Sequence, residues 1–138
     1  MSRFKKLSHV IYCVKYHLVW VPKYRYKVLT GKVKDEVYRT IMGHCDRMKC
    51  EVIELNIQKD HCHLLVFVPP KISISISVLM GILKGKVAIR IFQKFPELRQ
   101  QRYWGNKFWA SGYCVDTVGL DTEMIKKYVK FQDDNDKK

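Results

Sequence analysis

Apolar and polar positions recur along this chain with two different periods, and the places where the period changes divide it into elements. Residues 9–23, HVIYCVKYHLVWVPK, are rich in β-branched and aromatic side chains and close at Pro22, which predicts a first strand. In residues 31–50, Val33, Val37, Ile41 and Cys45 fall at steps of four, the single apolar stripe of a helix. Residues 51–58, EVIELNIQ, return to a period of two, with Ile53, Leu55 and Ile57 on one side and Val52, Glu54, Asn56 and Gln58 on the other. HCHLLVFV at 61–68 follows after only Lys59 and Asp60, close enough to form a hairpin. Leu79, Leu83, Val87 and Ile91 predict a long helix over 75–95, with Lys86, Arg90 and Lys94 on a second stripe and Gly81 and Gly85 as points of interruption. The serines of KISISIS just before it read as a helix cap rather than a strand, because Pro69 and Pro70 precede them. Residues 106–118 read as one or two strands turning near Gly112, and 120–132 as a final helix capped by Asp121 or Thr122.

The order βαββαβα predicts an α+β fold, a ferredoxin-like or RRM-like sandwich whose mainly antiparallel sheet carries helices on one face. At 138 residues the chain reads as a single domain over 1–138, with 131–138 a charged, fraying tail. Charge narrows the partners: 26 Lys plus Arg against 13 Asp plus Glu leave +13, which points to a polyanion. The apolar runs near the N-terminus are broken by Lys15, Tyr16 and His17, so neither a signal peptide nor a membrane span is expected, and the cytoplasm is the expected location. Five cysteines at scattered spacings, without a CxxC pair, read as reduced and mostly buried thiols.

Chemistry concentrates at two places. In a strand, His61, His63, Leu65 and Phe67 share one face while Cys62, Leu64, Val66 and Val68 line the other. Both imidazoles then point the same way, their backbones about 6.5 Å apart, and can lean onto one cation. Taken alone, an HxH is more often a pair of strand-end histidines, since two ligands do not make a metal site. On the last predicted helix, Tyr128 and Gln132 stack at a spacing of four, surrounded by Lys126, Lys127 and Lys130. The plain alternative there is an apolar stripe of Met124, Ile125, Tyr128 and Val129 docking on the sheet. Together the two places supply imidazole donors, an oxygen ligand, a phenolic nucleophile and a cationic field for a phosphate.

HCH resembles the His-hydrophobic-His motif of the HUH nucleases, and YVKFQ resembles the nucleophile-plus-ligand helix of the single-tyrosine HUH transposases, which move insertion sequences as single-stranded DNA. The likeness extends over nearly the whole chain, through HLVWVPKYRYKVL, KDHCHLLVFVPPKISIS, GILKGKVAIRIF and GNKFWASGYCVDTVG. Two positions depart from it: Lys59 stands where a proline is common, and Cys62 fills a place usually held by a bulkier residue. The resemblance implies that His61, His63 and Gln132 hold a divalent ion, Mg²⁺ or Mn²⁺, and that Tyr128 attacks a DNA phosphodiester to give a 5′-phosphotyrosine and a free 3′-OH. It also implies recognition of DNA hairpins at element ends by a homodimer in which the final helix completes the partner's site. Gly119, in the connection before that helix, is the one residue whose conformational freedom suits such an exchange.

Cations interleaved with rings suggest a surface for unpaired bases and backbone, Lys23, Arg25, Lys27, Arg102 and Lys107 among Tyr24, Tyr26, Tyr103, Trp104, Phe108 and Trp109, although more than half of these rings are expected in the core, Trp109 and Tyr113 first. Lys86, Arg90 and Lys94 are further candidates for phosphate contacts. Two readings of other classes stay open, a non-catalytic single-strand-binding module of the same fold and a structural zinc protein using His44, Cys45, Cys50 or Cys62.

Overall fold

The computed structural model describes residues 5–7, 10–12, 15–68, 75–100, 107–117 and 129–130. The predicted first strand is divided. Its front part, β2 (Val10–Tyr12), turns back onto β1 (Lys5–Leu7) as a separate two-stranded ribbon, and only its later part, β3 (Lys15–Trp20), enters the main sheet. Beyond Val21 the backbone leaves the strand through a 3-10 turn, Lys23–Arg25.

The rest of the order follows the predicted pattern: α1 (Gly31–Arg47), β4 (Glu51–Gln58), β5 (His61–Phe67), α2 (Ile76–Lys94), a short α3 (Pro96–Gln100) and β6 (Cys114–Asp116). Helix α3 was not predicted, although Pro96 at its first position is a common helix opening. Ser75 caps α2 as expected, its hydroxyl accepting from the Val78 N–H at 3.2 Å, and neither Gly81 nor Gly85 interrupts the helix. Residues 69–74 of the cap segment, and all of the final helix except Val129 and Lys130, lie outside the described residues.

The main sheet has the order β4-β5-β3-β6 with every pairing antiparallel, the sandwich the sequence predicts. One register detail differs from simple alternation. A bulge between Val52 and Glu54 lets Val52 pair with Val66 on the core side while Glu54 pairs with Leu65 on the other, so Val52 does not share the polar face assigned to it.

Alternation fixes what each face of the sheet carries. Leu18, Trp20, Ile57, Cys62, Leu64 and Val66 meet Val37, Ile41 and Cys45 of α1 and Leu79, Leu83, Val87 and Ile91 of α2 in one buried cluster. Phe108 and Trp109 close this core, with Trp109 edge-on to Trp20 at 5.9 Å, while Tyr113 is half-buried against it. Cys45, Cys50 and Cys62 are buried free thiols and Cys114 is half-buried; burial pushes the Cys45 thiol up to about 12 and raises Cys62 further. Cys13 lies outside the described residues.

Candidate active site on the open face of the sheet

With α1 and α2 on one side, strand register gathers a polar group on the opposite face of the sheet. His61, His63 and Leu65 of β5 stand beside Gln58, Asn56 and Glu54 of β4; His17 and Val19 of β3 follow, then Asp116 and Cys114 of β6. Both histidines of the HxH thus share the face opposite the helices, as the period of two requires.

Each imidazole is held by one ring nitrogen. His61 Nδ1 lies 2.9 Å from Asp60 Oδ1, and the other oxygen of that carboxylate receives Arg25 Nε at 3.2 Å. A carboxylate only accepts, so Nδ1 carries a proton toward Asp60, and Nε2 is the ring nitrogen that this contact leaves unengaged. His63 Nε2 lies 2.8 Å from His17 Nδ1, with ring centroids 4.8 Å apart. Burial pushes both of these rings below the usual histidine value, with Asp116 and Glu54 pulling His17 back up and the His17 ring adding to the depression at His63. Neutral imidazole is the form that donates to a metal, so the depression at His63 suits a divalent cation. Among the described residues no group of three or more His, Cys, Asp and Glu side chains is placed to hold an ion, so a site here needs a donor of another kind, from an amide side chain, from outside the described residues or from water. Tyr128 and Gln132 lie outside the described residues. Their helix is represented by Val129, buried in a small cluster with Val21 and Ala110 that is separate from the main core, and by the exposed Lys130.

The cations predicted to meet DNA divide between the two sides of the molecule. Lys23 and Arg25 sit in the 3-10 turn near His61, Lys23 with its ammonium 5.0 Å from the Tyr24 ring centroid and Arg25 against Asp60. Lys107 is exposed, and Arg102 lies outside the described residues. Lys86, Arg90 and Lys94 belong to the helical layer: Arg90 Nε and Lys94 Nζ face Glu36 at 2.8 and 3.7 Å, and Lys86 with Arg90, His44 and Arg47 lines a groove of about 430 Å³ between α1 and α2. Sequence reasoning missed Asp60, His17 and Glu36. Asp60 was the most accessible of these, being next to His61, whereas His17 and Glu36 gain their roles only from long-range pairing.

The fold is that of a transposase. A solved structure from Deinococcus radiodurans R1, assigned as a transposase, superposes with a TM-score of 0.83 at 34% identity, covering 93% of this chain and 97% of that one. The chain belongs to the IS200-like transposase family, whose model matches residues 10–132. A transposase for insertion sequence element IS200 from Salmonella typhimurium strain LT2 is 37% identical over 137 residues, 99% of this chain and 88% of the relative. The ISDra2 transposase TnpA of Deinococcus radiodurans is 35% identical over 133 residues, 96% of this chain and 93% of the relative. A REP-associated tyrosine transposase solved with a REP hairpin shares the fold at 12% identity and a TM-score of 0.55, covering 95% of this chain and 70% of that one.

Proposed function

We propose that this transposase cleaves and rejoins single-stranded DNA at insertion-sequence ends through a 5′-phosphotyrosine on Tyr128, in a metal-dependent HUH reaction. The Tyr128 phenol oxygen attacks the scissile phosphorus, the P–O3′ bond breaks, the phenolic proton passes to solvent and the departing 3′ oxygen is protonated. The ester retains the bond energy, so a second 3′-OH reverses the step and joins a new strand. A Mg²⁺ or Mn²⁺ held by His61, His63 and Gln132 would polarise the phosphate and favour the phenolate, whose free pKa is about 10. His61 would offer its Nε2 to the ion, and His63 its Nδ1 where its Nε2 donates to His17 Nδ1, the two rings being fixed by Asp60 and His17.

One observation carries most of this reading: Val129, the sequence neighbour of Tyr128, packs on Val21, immediately beyond the strand whose His17 bonds His63. The family match extends to residue 132 and so includes both Tyr128 and Gln132. For hairpin recognition, the support is the cationic groove of Lys86, Arg90, Arg47 and His44 and the hairpin held by the REP-associated fold relative. The enzyme would work in the cytoplasm, where its DNA is, as a homodimer; among the described residues no helix is long and apolar enough to cross a membrane.

The test is an adduct assay with Mg²⁺ or Mn²⁺ and a single-stranded oligonucleotide carrying the element's end. Wild type should yield a covalent protein–DNA species that survives denaturing electrophoresis, and Tyr128→Phe should abolish it while retaining binding. An adduct with the Phe variant would move the nucleophile elsewhere, and binding with no adduct from wild type would favour the non-catalytic module. In the same assay Lys86→Ala with Arg47→Ala should weaken hairpin binding and flatten its salt dependence by about one unit of slope per lost phosphate contact. An unchanged salt slope would remove the groove from the DNA surface.

A further inference from the structure

Resting on the metal reading above, we propose that Asp60 and Arg25 are positioning residues that fix the tautomer and direction of His61, so that its Nε2 is presented as the metal donor. His61 opens β5 directly after the Lys59-Asp60 turn, a place where a strand-end ring is ordinarily loose. Here the ring is tied. Asp60 gives one oxygen to His61 Nδ1 at 2.9 Å and the other to Arg25 Nε at 3.2 Å, which leaves the carboxylate no freedom to rotate away. The three side chains are sheltered, at 21%, 20% and 29% exposure for His61, Asp60 and Arg25, so water competes less than at an open surface pair.

The backbone that delivers Arg25 is the second observation. Tyr24 and Arg25 both take left-handed conformations, at φ 58° and 53°, in which a side chain costs about 1–2 kcal/mol per residue. Such a turn persists only where its surroundings over-determine it. Lys23 N donates to Phe108 O at 2.9 Å and Arg25 N to Pro22 O at 2.8 Å, which close the turn on both sides. Leu29 N donates to Lys59 O at 3.0 Å, which ties the Asp60 turn to the same segment. Two non-glycine residues are thus held in a costly conformation that ends with a guanidinium on the carboxylate of the first histidine. A carboxylate behind a metal-binding imidazole raises its basicity and selects the donor nitrogen, and losing one typically costs 10–100-fold in metal affinity.

Two measurements test this. The ring ¹⁵N shifts of His61 in metal-free protein should report the Nδ1–H form in wild type and a shift toward Nε2–H in Asp60→Ala. Affinity for Mn²⁺, followed by electron paramagnetic resonance, should fall about 10–100-fold in Asp60→Ala. Arg25→Ala should lose less, and Asp60→Asn, whose amide oxygen still accepts from Nδ1, should keep the tautomer and recover part of the affinity. Melting midpoints of the four proteins separate this from unfolding, and Asp60→Asn with Arg25→Ala carry the test should Asp60→Ala not fold. Wild-type tautomer and affinity in Asp60→Ala, or a tautomer lost in Asp60→Asn, would overturn the proposal. The ring measurement is made without metal and so judges the Asp60 contact by itself; wild type that binds no Mn²⁺ would strike the metal reading alone.

Discussion

Glu36 is the buried charge of the helical layer, 4% exposed, and its carboxylate is shared by Arg39 at 2.7 Å, Arg90 at 2.8 Å and Lys94 at 3.7 Å. The hydrogen bonds from Arg39 and Arg90 hold it down to about 2 from an ordinary 4.5, against the opposing effect of burial. Because the folded value lies below the unfolded one, its stabilisation is complete above pH 4.5 and is lost as pH falls toward 2. Thermal melts between neutral pH and pH 3 should therefore show a fall in midpoint that Glu36→Gln removes, while Gln itself destabilises the neutral protein by about 1–3 kcal/mol. A variant that melts like wild type at both pH values would mean that the pair contributes nothing. At this scale local period disclosed the face that a residue takes and concealed the contacts that depend on a distant partner. His61 and His63 were placed by alternation alone. Glu36 looked like any polar helix position, and its partners Arg90 and Lys94 looked like a free basic stripe, because the packing of α1 on α2 is written in neither segment separately.

Among the elements, α2 is the long strut under the sheet, and it runs from Ile76 to Lys94 through two exposed glycines. A Cβ at Gly81 or Gly85 would meet no atom within 4 Å, so each glycine leaves helix propensity unused. Gly81→Ala and Gly85→Ala should each raise the unfolding free energy by about 0.5–1 kcal/mol, read from urea denaturation. A loss in either would place an unrecognised contact over that turn. The same helix holds the loop before β6: Lys84 Nζ donates to Ala110 O and Gly112 O at 2.9 and 3.0 Å, while Trp109 Nε1 returns a bond to Lys84 O at 3.1 Å. Gly112, at φ 82°, makes the turn there that the sequence predicted. Helices and the central hairpin were legible because stripes and alternation run long enough to dominate. The division of residues 9–23 into β2 and β3, and the bulge in β4, were not, since both come from pairing across the chain.

For the molecule as a whole, the open question is whose helix completes a given site. Among the described residues, Val129 of the final helix rests on Val21 and Ala110, a patch apart from the main core. If the final helix completes the partner's site in a homodimer, mixing Tyr128→Phe with His61→Ala under conditions that let subunits exchange should restore cleavage, because one mixed pairing joins an intact tyrosine to intact histidines. No recovery after demonstrated exchange would confine each site to one chain.

The sheet also separates two surfaces that can change independently. Arg47, Lys86 and Ile89 lie on the outer helical layer, while His17, His61 and His63 lie beyond the sheet, and no side chain belongs to both groups. Substitutions in one set should add to those in the other without coupling. A lineage of such elements can therefore revise the outer helical surface, and an engineer can rewrite it, while the histidine-bearing face passes on unaltered.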